Sequence, residues 1–406
     1  MLKQMENLLN KFTENYLNKL EVGYRLPPEV KLEEFWESLI NFRKQKAELT
    51  PLTDQNGDNF WYAVPHSLQK LLHEIDSYGR DSLYSMVKKE IESEIIRESL
   101  IEEAFYSSVI EGAFSTLKKA KELAAEKEKP KDNSEQMILN NYYAMRYILE
   151  NKDKKFSNEL ILELHKIVTD NTLEEKDHAG KYRDDMVYIT DAQGKTIYTP
   201  PAAEKIPEEM QKLIDWVNQG NKEEFIHPIV KASILHFYFV YLHPFFDGNG
   251  RTSRALFYFY LIKNQYEFFK YFSISSMINT SRSKYYESIK EAEDYNADLT
   301  YFLIYMAESI SKAIDEVTAK LTEHYRKDYF LSKIKEKKIP LNRRQDKFIK
   351  KILLWKEKQI DIIKYKELYE IVYQTSRADL LDLANKNILI KQKKGKKFIF
   401  SLNLNF

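Results

Sequence analysis

The chain of 406 residues contains no cysteine, which excludes disulfides and thiolate-held metals. No apolar run reaches the length of a membrane span, and the opening Met1-Leu2-Lys3-Gln4 lacks the pattern of a secretory signal. Net charge is almost absent as well. Lys and Arg number 63 and Asp and Glu 62, leaving +1, so no global field draws the chain to nucleic acid. Internal repeats and low-complexity tracts are missing. These absences point to a cytoplasmic protein with no membrane partner. Its length allows two or three domains, and 43% hydrophobic with 14% aromatic content fills ordinary cores.

What is present is concentrated in His243-Pro244-Phe245-Phe246-Asp247-Gly248-Asn249-Gly250-Arg251-Thr252-Ser253-Arg254. Phosphate chemistry needs a nucleophile relieved of its proton, and His243 is the candidate base because its unperturbed pKa lies nearest neutrality. Pro244 disfavours helical geometry in its predecessor, so the apolar helix through Ile229, Ala232, Leu235, His236, Phe239 and Val240 is expected to end at His243. Asp247 offers one hard oxygen to Mg²⁺, which takes one or two carboxylates and fills its other positions with phosphate and water. Gly248-Asn249-Gly250 tolerates positive φ, so successive N–H groups can converge on an anion. The apolar run Ala255 to Ile262 reads as a buried helix whose N-terminus faces that anion. Arg251 and Arg254 lie three apart on its first turn, where guanidinium forks pair with phosphate oxygens. Arginine there opposes the helix dipole, a cost that an anionic partner would offset.

Taken singly, each element has a bland reading as a satisfied histidine or a turn. Their order and spacing resemble the signature of the Fic (filamentation induced by cAMP) family, His-x-Phe-x-Asp/Glu-Gly-Asn-Gly-Arg-x-x-Arg, with every specified position matched. The resemblance implies a mainly α fold, with a Fic-type helical core and a small β-hairpin flap, and transfer of AMP from ATP to a hydroxyl side chain of a target protein. It implies that His243 deprotonates that hydroxyl, that Phe245 fixes the loop from the core, and that Asp247 holds Mg²⁺ on the α- and β-phosphates. Gly248, Asn249 and Gly250 would bind the phosphates, with Arg251 on the β- and Arg254 on the γ-phosphate. Kinase-like relatives depart from Gly-Asn-Gly-Arg; this chain keeps it.

Upstream, Ser107-Ser108-Val109-Ile110-Glu111-Gly112 puts Ser107 and Glu111 on one helical face, with Gly112 as the C′ residue of a helix expected over 97–111. The bland reading is a solvated stripe. The segment also resembles the family's inhibitory motif, Ser/Thr-x-x-x-Glu-Gly/Asn, which implies that Glu111 pairs with Arg254 in place of the γ-phosphate. The same Glu could orient water for AMP removal, so a de-AMPylating hydrolase stands as an alternative. Val187 to Thr190 and Lys195 to Tyr198 flank Ala192-Gln193-Gly194 as a hairpin. In the family such a hairpin registers the target by strand addition, which would make Val187, Tyr188, Ile189 and Thr190 its working edge. Tyr285 and Tyr286 resemble the stretch that lines the adenine pocket.

The domain reading is 1–95, an N-terminal helical region; 96–330, the core; 331–340, a linker; and 341–406, a basic module. From Leu341 onward 16 Lys and Arg face 7 Asp and Glu, a balance of +9. Three helices, around 345–356, 365–372 and 376–387, precede β-prone runs at 388–392 and 397–402, the order of a winged helix. Thr375 or Ser376 would cap the third helix, with Arg377 and the wing lysines toward a phosphate backbone if DNA is bound. Winged helices also dock proteins, so a nucleotide-sensing regulator is a further alternative. Self-modification and a homo-oligomer stay open. Amphipathic helices are expected at 8–20 and 32–46, with Asn59 to Pro65 an apolar bridge into a helix near His66 to Ile75. Lys118 to Asn133 reads as an exposed helix end and connection. His178, His227 and His236 have spacings that fit no compact metal site.

Overall fold

The computed structural model describes residues 2–190, 193–219, 225–395, 397–404 and 406. The chain divides into two compact units, Met1–Val317 and Thr318–Phe406. In the first, α1 (Leu2–Glu14), α2 (Lys19–Gly23) and α3 (Leu32–Lys44) precede β1 (Glu48–Thr53) and β2 (Asn59–Tyr62). The helix expected over 8–20 is thus two, broken where Tyr16 turns left-handed at φ 47° and Asn18 starts a capping box with Glu21. The expected apolar bridge at Asn59 is a strand instead, paired antiparallel with β1. Its turn holds Asn56-Gly57, a strong hairpin signal, and the Asp54 carboxylate accepts the N–H groups of Asn56 and Asp58.

Next come α4 (His66–Asp76), a π-helical stretch over Ser77–Leu83, α5 (Tyr84–Met86) and the 22-residue α6 (Lys89–Ile110). Helix α6 begins eight residues before the expected start at 97. Its first turns carry the charged residues Lys89, Glu90 and Glu92, while burial sets in from Ser99. α7 (Leu117–Ala124), capped by Thr116, takes up much of the expected loose connection because Ala120 and Leu123 are buried. α8 (Asn133–Glu150), α9 (Asn158–Val168), β3 (Ile189–Thr190), β4 (Thr196–Tyr198) and α10 (Ile206–Asn218) lead to the central pair, α11 (Pro228–Leu242) and α12 (Asn249–Lys263). Asp191 and Ala192, part of the expected flap turn, lie outside the described residues.

Nearly every side chain of α11 and α12 is buried. A helix apolar on all sides must be enclosed, and α6, α8 and α9 pack on α12 while α10 packs on α11. The six residues between the two central helices therefore project from two enclosed helices. α13 (Ile274–Thr280), α14 (Arg282–Asp294) and α15 (Thr300–Glu336) complete the helical order.

The second unit begins within α15, so the expected linker is helical through Glu336. Phe330 and Ile334 on that stretch are buried in this unit's core with Phe348, Tyr365, Leu380 and Phe400. α16 (Arg343–Ile352), β5 (Gln359–Asp361), α17 (Ile362–Tyr369), α18 (Tyr373–Asn385), β6 (Leu389–Lys394) and β7 (Lys397–Leu402) follow, with sheet order β5-β7-β6. The order of three helices and a closing β-hairpin is the one expected from the sequence, with β5 added to the sheet. Neither Thr375 nor Ser376 caps α18. The helix starts at Tyr373 after Val372, and the buried Ser376 hydroxyl donates back to the Val372 carbonyl.

Candidate active site

α11 ends as its sequence requires. Leu242 is its last helical residue, and His243 adopts a left-handed conformation, φ 48° and ψ 59°, which costs an L-residue on the order of 1 kcal/mol. A buried arginine sixty residues earlier, Arg183, offsets that cost. Arg183 Nε donates to the His243 carbonyl at 2.8 Å, Nη1 to the Asp185 carbonyl at 2.8 Å and Nη2 to the Pro201 carbonyl, while its own N–H donates to the Pro244 carbonyl at 2.9 Å. One guanidinium thus ties the end of α11 to both feet of the β3–β4 hairpin. The Tyr198 hydroxyl adds a bond to the Tyr241 carbonyl at 2.9 Å.

His243 Nδ1 lies 3.3 Å from the Val240 carbonyl, which assigns the proton to Nδ1 and leaves the Nε2 lone pair free. Burial lowers the His243 pKa, with the Val240 carbonyl and the nearby Glu111 charge acting in the opposite sense. The ring is therefore a neutral base at pH 7.

The loop beyond it is closed by its own side chains. Asn249 Oδ1 accepts from Phe245 N–H at 2.9 Å and its Nδ2 donates to the Phe245 carbonyl at 2.7 Å, so Asn249 can offer an anion only its backbone. Phe245 is fully buried and stacks on His165 at 3.6 Å. His165 Nδ1 accepts from Gly180 N–H at 2.9 Å, so its Nε2 carries the proton that meets the Asp247 carbonyl at 2.9 Å. Burial holds the His165 pKa down at about 4. Gly248, at φ 81°, opens α12, and a methyl group there would strike Thr169.

The Asp247 side chain is 58% exposed, with one oxygen 3.1 Å from Arg251 Nη2. A single exposed carboxylate at the N-terminus of α12, accepting from Gly248 N–H, suits Mg²⁺ held jointly by protein and phosphate. Arg251 itself is buried and also donates to the Val168 carbonyl at 3.1 Å. Its Nε has no hydrogen-bond partner. Arg254 is buried too. Its Nε donates to Ser107 Oγ at 2.8 Å, and Nη2 to the Ser107 carbonyl and Glu111 Oε1, both at 2.9 Å. Burial works against its charge, yet Glu111 beside it, together with Tyr285 and Glu103, raises its pKa. The Glu111 carboxylate also lies where a side chain on Gly250 would begin. It covers the cradle at the start of α12.

Glu111 reaches that position from the end of α6. Gly112, at φ 92°, and Ala113 donate to the carbonyls of Val109 and Ser108, a Schellman cap. Arg282 Nη2 donates to the Val109 carbonyl at 2.6 Å. Farther back on the same helix the buried Glu103 accepts from Tyr258 Oη and Ser273 Oγ at 2.8 Å, from Ser275 N–H at 3.0 Å and from Ser275 Oγ.

The structure thus brings Ser107, Glu111, Gly250 and Arg254 together, with Arg251 on the same first turn of α12, Asp247 on the loop before it and His243 at the loop's start. It divides the tyrosine pair. Tyr285 is buried with its hydroxyl on His236 Nε2 at 2.8 Å, because a side chain at that point of α14 faces the core, while Tyr286 is 52% exposed. On the hairpin only Ile189 and Thr190 of the expected edge are strand; Val187 and the exposed Tyr188 precede it. Arg183 and His165 were not singled out in the sequence. Arg183 acts on carbonyls far along the chain, and His165 carries no signal beyond being a histidine on an apolar face.

The sequence model of the Fic/DOC family matches residues 155–261. A protein adenylyltransferase Fic from Nematostella vectensis is 28% identical over 263 residues, 63% of this chain and 57% of the relative. Protein adenylyltransferase fic-1 from Caenorhabditis briggsae is 32% identical over 167 residues, 41% of this chain and 30% of the relative. The chain therefore spans about half the length, or less, of these curated relatives. Among solved structures, a Fic family protein from Desulfovibrio desulfuricans superposes with TM-score 0.57 at 19% identity, covering 84% of this chain and 97% of that one. Fic-1 of C. elegans gives 0.55 at 19%, covering 79% and 85%. Both share the fold.

Proposed function

We propose that this chain, whose residues 155–261 match the Fic/DOC family, transfers AMP from ATP to a hydroxyl side chain of a protein, under restraint by Glu111. The observation that carries the proposal is that a neutral His243 and a buried, charged Arg254 flank one N–H cradle whose cover is a carboxylate.

His243 Nε2 takes the proton of the acceptor hydroxyl as its oxygen attacks the α-phosphorus. The bond from that phosphorus to the bridging oxygen breaks, pyrophosphate leaves, and the AMP ester stays on the acceptor. The N–H groups at the start of α12, with its positive dipole end, face the phosphates. Asp247 is the residue that would hold Mg²⁺, which supplies neutralisation of phosphate charge when bound. Arg254, freed from Glu111, would take the terminal phosphate. Arg251 is enclosed and braces Asp247 and the Val168 carbonyl, so its support for the phosphates runs through the loop's shape unless it turns outward on binding. Thr190 and Ile189, on the short hairpin, would align the acceptor segment, and Tyr286 offers the open ring for adenine. No helix among the described residues is long and apolar enough to cross a membrane.

Intact-mass measurement after incubation with ATP and Mg²⁺ tests this on wild type, Glu111→Gly and Glu111→Gly/His243→Ala. An AMP adduct in the single variant alone is the expected result. Equal adduct on wild type and Glu111→Gly removes the restraint, and an undiminished adduct in the double variant removes His243 as base.

A further inference from the structure

The Thr318–Phe406 unit takes no part in the chemistry above, and its surface is sorted by charge. After Asp382 the sequence holds six lysines and no acidic residue. Four of those lysines lie on the strands of the β6–β7 hairpin. β6 is the edge strand of the sheet, and only its first residue, Leu389, is buried. The rest of the strand extends past the core and carries Lys391, Lys393 and Lys394, all exposed, with Lys397 across the turn at Gly395. Lysine on an edge strand guards against strand pairing. That accounts for one or two of these residues, not for a tip with lysine on both strands and both faces.

α18 presents a second, matching surface. It follows α17 after a three-residue turn in which Glu370 is left-handed. Its buried face is Ser376, Asp379, Leu380 and Leu383, which leaves Tyr373, Gln374, Arg377, Ala378 and Asn385 exposed. Both acids of α18 are neutralised within the unit. Asp379 is buried and accepts from Arg344 Nε at 3.0 Å, Asn342 Nδ2 at 2.8 Å and Tyr365 Oη at 3.2 Å. Asp382 is paired with Lys386 and accepts from Gln345 Nε2 at 2.7 Å. The exposed face is left with amide, phenol and guanidinium groups and no free carboxylate. Those groups match the donors and acceptors on base edges, and a cationic hairpin beside them matches the phosphate backbone.

We propose that this unit binds duplex DNA, with the exposed face of α18 in the major groove and the β6–β7 hairpin along the phosphates. The proposal uses neither His243 nor Glu111, so it stands or falls apart from AMP transfer.

The test is fluorescence anisotropy of a labelled mixed-sequence DNA duplex with the full chain across a salt series. Binding that weakens with salt is expected. Lys393→Glu/Lys394→Glu should lower affinity at least about tenfold and flatten the salt slope by about 2. A charge-matched pair in the first unit, Lys127→Glu/Lys129→Glu, should change neither, with circular dichroism showing both variants folded. Arg377→Ala should relax whatever sequence preference a pool of random duplexes reveals. No binding at low salt, equal losses in the two lysine pairs, or binding of single-stranded RNA without binding of the duplex would each overturn the proposal.

Discussion

Acid should loosen the first unit through His236, and the size of the effect can be worked out. His236 lies on α11 with no exposed surface, its ring set among Phe257, Tyr285 and Phe302, and its Nε2 bonded to the Tyr285 hydroxyl. Burial, aided by the charge of Arg254, pushes its pKa from 6.5 down to about 3. The unfolded chain therefore takes up this proton first as pH falls. The contribution to stability is fully present above pH 6.5 and is lost progressively as pH drops toward 3. Linkage gives a loss of about 2 kcal/mol between pH 7 and pH 5. Other groups respond with the opposite sign, since burial raises Glu291 and Glu293 to about 7 and Asp298 to about 6. The informative quantity is thus the difference between wild type and His236→Phe, which keeps a ring among rings and cannot titrate. At pH 7 the variant should be about 1–3 kcal/mol less stable than wild type, because the buried Tyr285 hydroxyl loses its partner. At pH 5 wild type should have lost about 2 kcal/mol more than the variant, read from urea unfolding by circular dichroism. Equal losses in the two proteins would refute the argument.

Glu103→Ala strips one buried acceptor from Tyr258, Ser273 and Ser275; a cost of about 3–5 kcal/mol should appear in thermal melting, with Glu103→Gln recovering part of it. Arg183→Lys cannot reproduce a fork on the His243, Asp185 and Pro201 carbonyls. In the Glu111→Gly background it should lower kcat about 100-fold with ATP affinity in calorimetry changed little, and a parallel loss of both would argue for mere unfolding.

The residues of the site were legible where chemistry is dense along the chain. His243 to Arg254 contain their own loop, and the apolar runs on either side fixed the two central helices around it. Groups that act across the fold were not legible. Arg183 works on carbonyls about sixty positions away, and His165 on a carbonyl over eighty positions on, distances at which spacing carries no information. Tyr285 could not be told from Tyr286, because an aromatic pair on a helix fits either side until the packing partners are known. The β1–β2 hairpin is masked in the sequence because Pro51 interrupts the alternation that marks a strand, although Asn56-Gly57 is a turn signal. The expected linker failed for a different reason. Charged residues surround Phe330 and Ile334, and only the unit's core shows that those two are buried.

The Schellman turn at the end of α6 puts Glu111 one residue beyond the last helical position, at φ −86° and ψ 14°. Ser107 and Glu103 belong to the helix proper and are fastened to other elements. Moving Glu111 off Arg254 therefore needs rotation about a few bonds at a helix terminus, with the rest of α6 left in place. The covered and uncovered forms would share almost all of their buried surface, so heat capacity, denaturant slope and melting temperature would hardly separate them. Amide exchange confined to residues 110–113 would.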